Sequence, residues 1–321
     1  MSVRALLPGW SKPTRKSENH IRSYSTTGDI LAYQRCRRQY GFFGIRGFVS
    51  ATATQRYFGT LVHDVLDRIN REYKRGVAAP DQALVEQYVQ DAHDRLWRGG
   101  VRAYNPADQK ARAAKLIYRF VVLIGPHFFP NVKETEYQLK RVLQTPTGRD
   151  YSLRGVVDVL SGAVSHSLGL PYSTEADDIE IWDYKSGEMP DKSSLEMKSY
   201  EYQMRVYAEL YRQQTGDYPA RCVLVFVGEL GNDKWWIAAA QDPTKFPKLI
   251  YPIHPVPRHV QQAVDNFHQT VEDIEVERAK PYEQQWLAPI HPVDKQTCEA
   301  CELRFNCSSF PRSAIVRAEA L

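Results

Sequence analysis

Two short β-prone runs carry acidic residues that could hold a metal ion: Arg154-Gly155-Val156-Val157-Asp158-Val159 and Ile181-Trp182-Asp183-Tyr184-Lys185-Ser186-Gly187. Side chains alternate along an extended strand, so Asp183 and Lys185 share a face. If the two runs pair, Asp158 reaches that face as well. Two carboxylates offer the hard oxygen ligands that suit Mg²⁺ or Mn²⁺. A lysine beside them can orient or help deprotonate a water, or steady negative charge on a reacting phosphate. Asp-x-Lys taken alone is common and carries little. Gly187 permits a sharp exit from the strand. Gln203 and Tyr207, four apart, share a face of the helix expected to follow.

A second group with chemistry in it is the cysteines: Cys36, Cys222, Cys298, Cys301 and Cys307. The number is odd, and residues 1–20 lack the continuous apolar core of a signal peptide, so a disulfide scaffold is not expected and a cytoplasmic location is. Cys298, Cys301 and Cys307 form C-x2-C-x5-C. A closed four-ligand site needs one more thiolate, and Cys36 is the candidate. Tetrahedral zinc, with Cys36 or His291 as fourth ligand, is the competing reading. Cys222 opens the apolar run 222–227 and reads as a buried core thiol.

These residues must be positioned by a mixed set of elements. Residues 1–26 read as an irregular lead-in. Helices are expected from Thr27, with Thr27 or Asp29 as its cap, and over 55–75, 81–98 and 107–124, ending at a break between Pro126 and Pro130. Segment 133–140 alternates like a strand, and the alternation breaks at Arg141. Pro146-Thr147-Gly148 marks a hairpin turn before a strand over 151–160. Residues 161–178 read as a long loop. A strand at 179–184, a helix over 193–214, strands at 221–228 and 234–240, and a helix over 257–279 complete the pattern. Helices before and strands within the middle of the chain predict an α/β (α+β) core around a central sheet.

The motif series resembles that of the RecB-like branch of the PD-(D/E)xK nucleases: Gly155 with Asp158, then Asp183, Lys185 and Gly187, then Gln203 with Tyr207, and upstream Gly59-Thr60-Leu61-Val62-His63 as G-x-x-x-H. The resemblance implies a restriction-endonuclease-like fold, with His63, Asp158 and Asp183 as metal ligands and Lys185 as the catalytic lysine. It implies places near the DNA and the reaction for Gln203 and Tyr207. Glu136 stands where relatives often carry a glutamate. One cysteine before the core and three after it resembles the iron–sulfur members of that branch, the AddB-type nuclease domains and the CRISPR-associated RecB-like nucleases. That implies a [4Fe-4S] cluster on Cys36, Cys298, Cys301 and Cys307, structural in role. Together the likeness covers about residues 27–310.

One integrated domain is expected, with 1–26 as lead-in, 27–130 as helical layer, 131–284 as nuclease core and 285–321 as C-terminal iron–sulfur segment. The chain has 321 residues and a net charge of +4, which permits nucleic acid as partner without demanding it. Arg35, Arg37 and Arg38, and the helical group Lys110, Arg112, Lys115 and Arg119, could contact phosphates, or simply face solvent. No apolar run reaches a membrane span, and no G-x-x-x-x-G-K-[ST] loop is present, so any unwinding falls to a helicase partner. The expected activity is metal-dependent hydrolysis of DNA, at single strands or ends. A catalytically silent DNA-end-binding scaffold, an RNA-directed nuclease and a zinc-stabilised protein without nuclease activity are the alternatives.

Overall fold

The computed structural model describes residues 21–48, 54–170, 175, 178–290 and 293–310. It begins with strand β1 (Arg22–Ser25), a π-helical turn (Thr26–Leu31), the short helices α1 (Ala32–Arg35) and α2 (Arg37–Tyr40), and a second π-turn (Gly41–Ile45). Helices α3 (Thr54–Lys74), α4 (Gln82–Arg98), α5 (Pro106–Leu123) and the short α6 (Gly125–Phe128) follow. The hairpin of β2 (Val132–Gln144) and β3 (Asp150–Ser161) leads through α7 (Val164–Ser167) to β4 (Glu180–Lys185), α8 (Leu195–Thr215) and β5 (Arg221–Phe226). Then come α9 (Asp233–Gln241), β6 (Ile250–Ile253), α10 (Pro257–Ala279) and α11 (Lys295–Glu299).

Local chemistry sets the helix starts. The Asp81 and Ser194 side chains accept from the amides of Leu84 and Met197, capping α4 and α8. Pro106 and Pro257 stand at the first turns of α5 and α10, where a missing N–H costs nothing.

The strands form one mixed sheet flanked by helices, a mixed α/β architecture consistent with a restriction-endonuclease-like fold. β4 and β5 run parallel in its middle and are buried on both faces. Trp182, Tyr184, Val223 and Val225 pack with α3, α4 and α5, whereas Ile181, Cys222, Leu224 and Phe226 pack with α8 and α10. Cys222 is thus a core thiol, and burial pushes its pKa up.

β3 is where the sheet departs from regularity. β2 pairs along its length on one edge. Its other edge is shared: β1 pairs in parallel with Tyr151–Arg154, and β4 pairs antiparallel with Val159–Ser161. Between them, Gly155 to Asp158 have no strand on that side. The facing alternation also changes phase here. Leu153 and Val157 lie in the α8–α10 core, Val159 in the α3–α5 core, and Leu160 back in the former. Opposite the phase change, Glu136 on β2 has φ 49, a left-handed backbone that costs a non-glycine residue on the order of 1 kcal/mol.

Several sequence expectations need correction. The lead-in is not wholly irregular, since Arg22–Ser25 forms β1; residues 1–20 lie outside the described residues. The helix from Thr27 breaks at Cys36, which is extended at φ −161. Asp29 does not cap it by the usual contact; its carboxylate accepts from the Ser25 amide and hydroxyl. β2 continues past Arg141 to Gln144. Within 161–178, α7 and the buried Ala163, Val164, Leu168 and Leu170 form structure rather than a plain loop; residues 171–174 and 176–177 lie outside the described residues. Segment 234–240 is helical, not a strand, because Asn232 caps α9 by accepting from the Trp235 amide. The outer strand is instead β6. No described helix is long and apolar enough to cross a membrane.

Candidate active site

The break along β3 is where the acidic residues converge. Beyond Trp182, β4 no longer ladders with β3, and Asp158 fills the gap with its side chain. Its Oδ2 accepts from the Tyr184 amide at 2.7 Å, and its Oδ1 lies 3.2 Å from His63 Nδ1 on α3. Asp158 therefore closes the sheet and reaches α3 with one carboxylate.

Asp183 and Lys185 project to the opposite face of β4, toward α8. Lys185 Nζ is 2.6 Å from Asp183 Oδ2 and donates to Gln203 Oε1 at 3.1 Å. Gln203 Nε2 lies within donating distance of Asp183 Oδ1 at 3.3 Å and of Tyr207 Oη at 3.1 Å. The Val156 backbone lies beside the Tyr207 hydroxyl and lowers its pKa against the larger effect of burial. A Cβ on Gly155 would come within 2.6 Å of the Tyr207 ring, so the glycine makes room for the ring that plugs the gap.

Gln203 and Tyr207 are therefore buried supports. Both are 6% exposed, and Gln203 lies against Asp183 and Lys185. Gly59 is less constrained, because a Cβ there would meet Ser186 Oγ at an ordinary 3.5 Å. Glu136 reaches the rim of the site from its left-handed position. Its carboxyl is raised by burial and by the charges of Asp158 and Asp67.

The electrostatics set each carboxylate beside a cationic partner. Burial lifts the Asp183 carboxyl; Lys185 opposes this, and the Asp158 charge adds to it. For Asp158, burial is outweighed by His63, its pairing with that ring and the Tyr184 amide, and the carboxyl is lowered. His63 is disfavoured as a cation by burial, yet Asp158 raises it to about 9. The ammonium of Lys185 lies 2.6 Å from Asp183 Oδ2, and that oxygen has no second donor among the described residues. The carboxylates of Asp158 and Asp183, with the His63 ring beside them, have the donor chemistry that suits a hard divalent cation. Among the described residues no three His, Cys, Asp or Glu side chains stand as a ready metal cage. The ligand candidates are paired instead with one another, His63 with Asp158 and Asp183 with Lys185.

The cysteines converge on a second place. Cys36, Cys298, Cys301 and Cys307 line one cavity, with Pro289, Val293, Leu303 and Phe310. The extended backbone at Cys36 turns α1 out of line with α2. Burial raises the Cys301 thiol, and the nearby Leu303 amide and Gln39 side chain oppose that rise. Neither partner was apparent from residue spacing. His291 lies outside the described residues.

With both sites described, comparison with known proteins adds one decisive finding. A profile of the PD-(D/E)XK nuclease superfamily matches residues 26–308. The chain belongs to that superfamily. A search of curated proteins returns no match. PD-(D/E)XK nucleases typically use divalent metals and act on nucleic acid, in keeping with the acidic pair and lysine. The basic residues are less in keeping with a phosphate track. Lys115 and Arg119 pair with Asp233 at 2.9 and 2.5 Å, Lys110 donates to Gln90, and Arg112 lies over Phe58. Arg37 and Arg38 donate to the carbonyls of Leu287 and Asn306, tying α2 to the C-terminal segment of this PD-(D/E)XK protein. Arg35 is exposed.

Proposed function

We propose that this protein is a Mg²⁺- or Mn²⁺-dependent deoxyribonuclease of the RecB-like branch, acting on single-stranded DNA or DNA ends. The convergence of Asp158, Asp183 and Lys185 on the break in the sheet supports it most. His63, Asp158 and Asp183 would hold the cation. Bound there, it would supply Lewis acidity toward the scissile phosphate and the attacking water. Lys185 Nζ orients that water and offsets charge growing on the phosphate. Gln203 holds Asp183 and Lys185 in register, and Tyr207 keeps the gap closed behind them. Unwinding of duplex DNA is left to a helicase partner, and the reducing cytoplasm suits its free thiols.

The test is cleavage of end-labelled single- and double-stranded DNA, and of RNA of the same sequence, with Mg²⁺, with Mn²⁺ or with EDTA. Metal-dependent cutting of DNA is expected. RNA cut in preference would replace the substrate, and binding of DNA ends without any cutting would replace the enzyme by a scaffold.

In the same proposal, Cys36, Cys298, Cys301 and Cys307 hold a [4Fe-4S] cluster that joins α2 to the C-terminal segment. The shared cavity and its apolar lining support this. Anaerobically purified protein should carry about four iron and four sulfide per chain. Cys301→Ala should lose most of that iron and melt at lower temperature. One zinc per chain and no iron would overturn the cluster. Unchanged melting after iron loss would overturn its structural role.

A further inference from the structure

We propose that Tyr200 is the residue that holds the Lys185 ammonium over the acidic pair, through the face of its ring. This rests on reading Lys185 as the catalytic lysine. Tyr200 lies three residues before Gln203 on α8, so both present to the same face of the helix. Lys185 Nζ is 4.4 Å from the Tyr200 ring centroid, within the range at which an ammonium is attracted to the negative face of an aromatic ring. Nζ thus has three restraints: Asp183 Oδ2, Gln203 Oε1 and the ring. Once Asp183 Oδ2 is engaged elsewhere, Gln203 and Tyr200 remain.

The ring is itself held. Tyr200 Oη donates to Glu196 Oε1 at 2.7 Å, one turn back on α8. Its ring packs at 6.1 Å against Phe226, which is 1% exposed in the core. Phe226 is also the register partner of Lys185 across β4 and β5. Strand pairing therefore places Phe226 beside the backbone of Lys185, Phe226 supports Tyr200, and Tyr200 supports the tip of Lys185. A lysine has four rotatable side-chain bonds and loses considerable entropy when its tip is confined. A rigid aromatic surface confines it without withdrawing charge. Tyr200 is a positioning residue: the ring matters, and the hydroxyl serves only to orient it.

The experiment compares Tyr200→Phe with Tyr200→Leu. Steady-state cleavage of end-labelled single-stranded DNA should show kcat falling about two- to thirtyfold in Tyr200→Leu, the rate equivalent of roughly 0.5–2 kcal/mol. KM should stay within about twofold, because the interaction acts on the lysine and not on bound substrate. Tyr200→Phe should keep most of kcat. Equal loss in both variants would assign the effect to the hydroxyl, and a rise in KM alone would assign the ring to base stacking; either overturns the proposal. A second readout needs no cleavage. In metal-free protein labelled with ¹³C-lysine, the ε-methylene signal that vanishes in Lys185→Ala should be shifted upfield by the ring current. That shift should persist in Tyr200→Phe and disappear in Tyr200→Leu, with Tyr200→Met as the substitute if Leu impairs folding. A signal that stays put in the non-aromatic variants overturns the stack even if the protein proves not to be a nuclease. A signal that moves upholds the stack independently of the nuclease assignment.

Discussion

Lys185→Ala should cost most of the cleavage rate, roughly 10²- to 10³-fold in kcat or more, while DNA binding changes little. That is the scale on which removal of one preorganised donor to developing charge acts. Lys185 is fitted to this role because its side chain is only 14% exposed and its ammonium is already directed at Asp183. Reorganisation during the reaction is small, and water does not screen the charge as it would at the surface. DNA affinity, by contrast, comes from many phosphate contacts spread along the bound strand. The substitution also removes the cation next to a buried Asp183 whose carboxyl is already raised. Asp183 should then accept a divalent ion at least as readily. Single-turnover cleavage, filter binding and metal titration on the same purified variant separate these effects. A rate within tenfold of the wild type would remove Lys185 from the reaction.

The second large effect is expected from a residue that touches no ligand. Gly228 lies just after β5, and its amide donates to the Gly187 carbonyl at 3.1 Å. A Cβ at position 228 would come within 2.3 Å of the Gly187 carbonyl carbon, a contact with backbone that no rotamer can relieve. Gly228→Ala should therefore force apart the exits of β4 and β5. Overpacking of this kind costs about 1–3 kcal/mol of stability. Gly187 follows Lys185 by two residues, so the displacement passes to the lysine. Misplacement by about 1 Å can cost on the order of 10²-fold in rate. Thermal melting and kcat should fall together in Gly228→Ala. A variant that melts and cuts like the wild type would mean that the two strand exits are free to separate.

Much of the scaffold was legible because its signals are local. The apolar spacing of Leu61, Val62, Val65, Leu66 and Ile69 marks α3, and all five are buried. Pro257 and Pro281 bracket α10, and the turn at Gly148 is left-handed at φ 87, as a hairpin glycine can be. What escaped depended on distant partners. Arg22–Ser25 is polar and becomes a strand only by pairing with β3. Tyr251-Pro252-Ile253 contains a proline, which argues against a strand unless it lies at an edge, where β6 in fact lies. Trp235-Trp236-Ile237 has β-prone residues, but the Asn232 cap and the alanines after it favour a helix.

The site divides in the same way. Alternation alone puts Asp183 and Lys185 on one face, and helical spacing puts Gln203 and Tyr207 on one face, as the structure does. The burial of that second pair was not legible, because it depends on the empty edge of β3. Nor was Tyr200, whose part depends on where Phe226 lies across the sheet. His63 is legible from its spacing to Gly59, although the close approach there does not require glycine.

The stretch of β3 that is paired on one edge alone has a consequence for how this sheet breathes. In a continuous ladder an amide exchanges its hydrogen only when the strands part. At the break, the Tyr184 amide is held by the Asp158 carboxylate. Its protection from solvent exchange follows the rotation of that side chain rather than the opening of the sheet. That hydrogen reports on the state of the acidic pocket, while the amides of β5, buried on both faces, report on the stability of the whole protein.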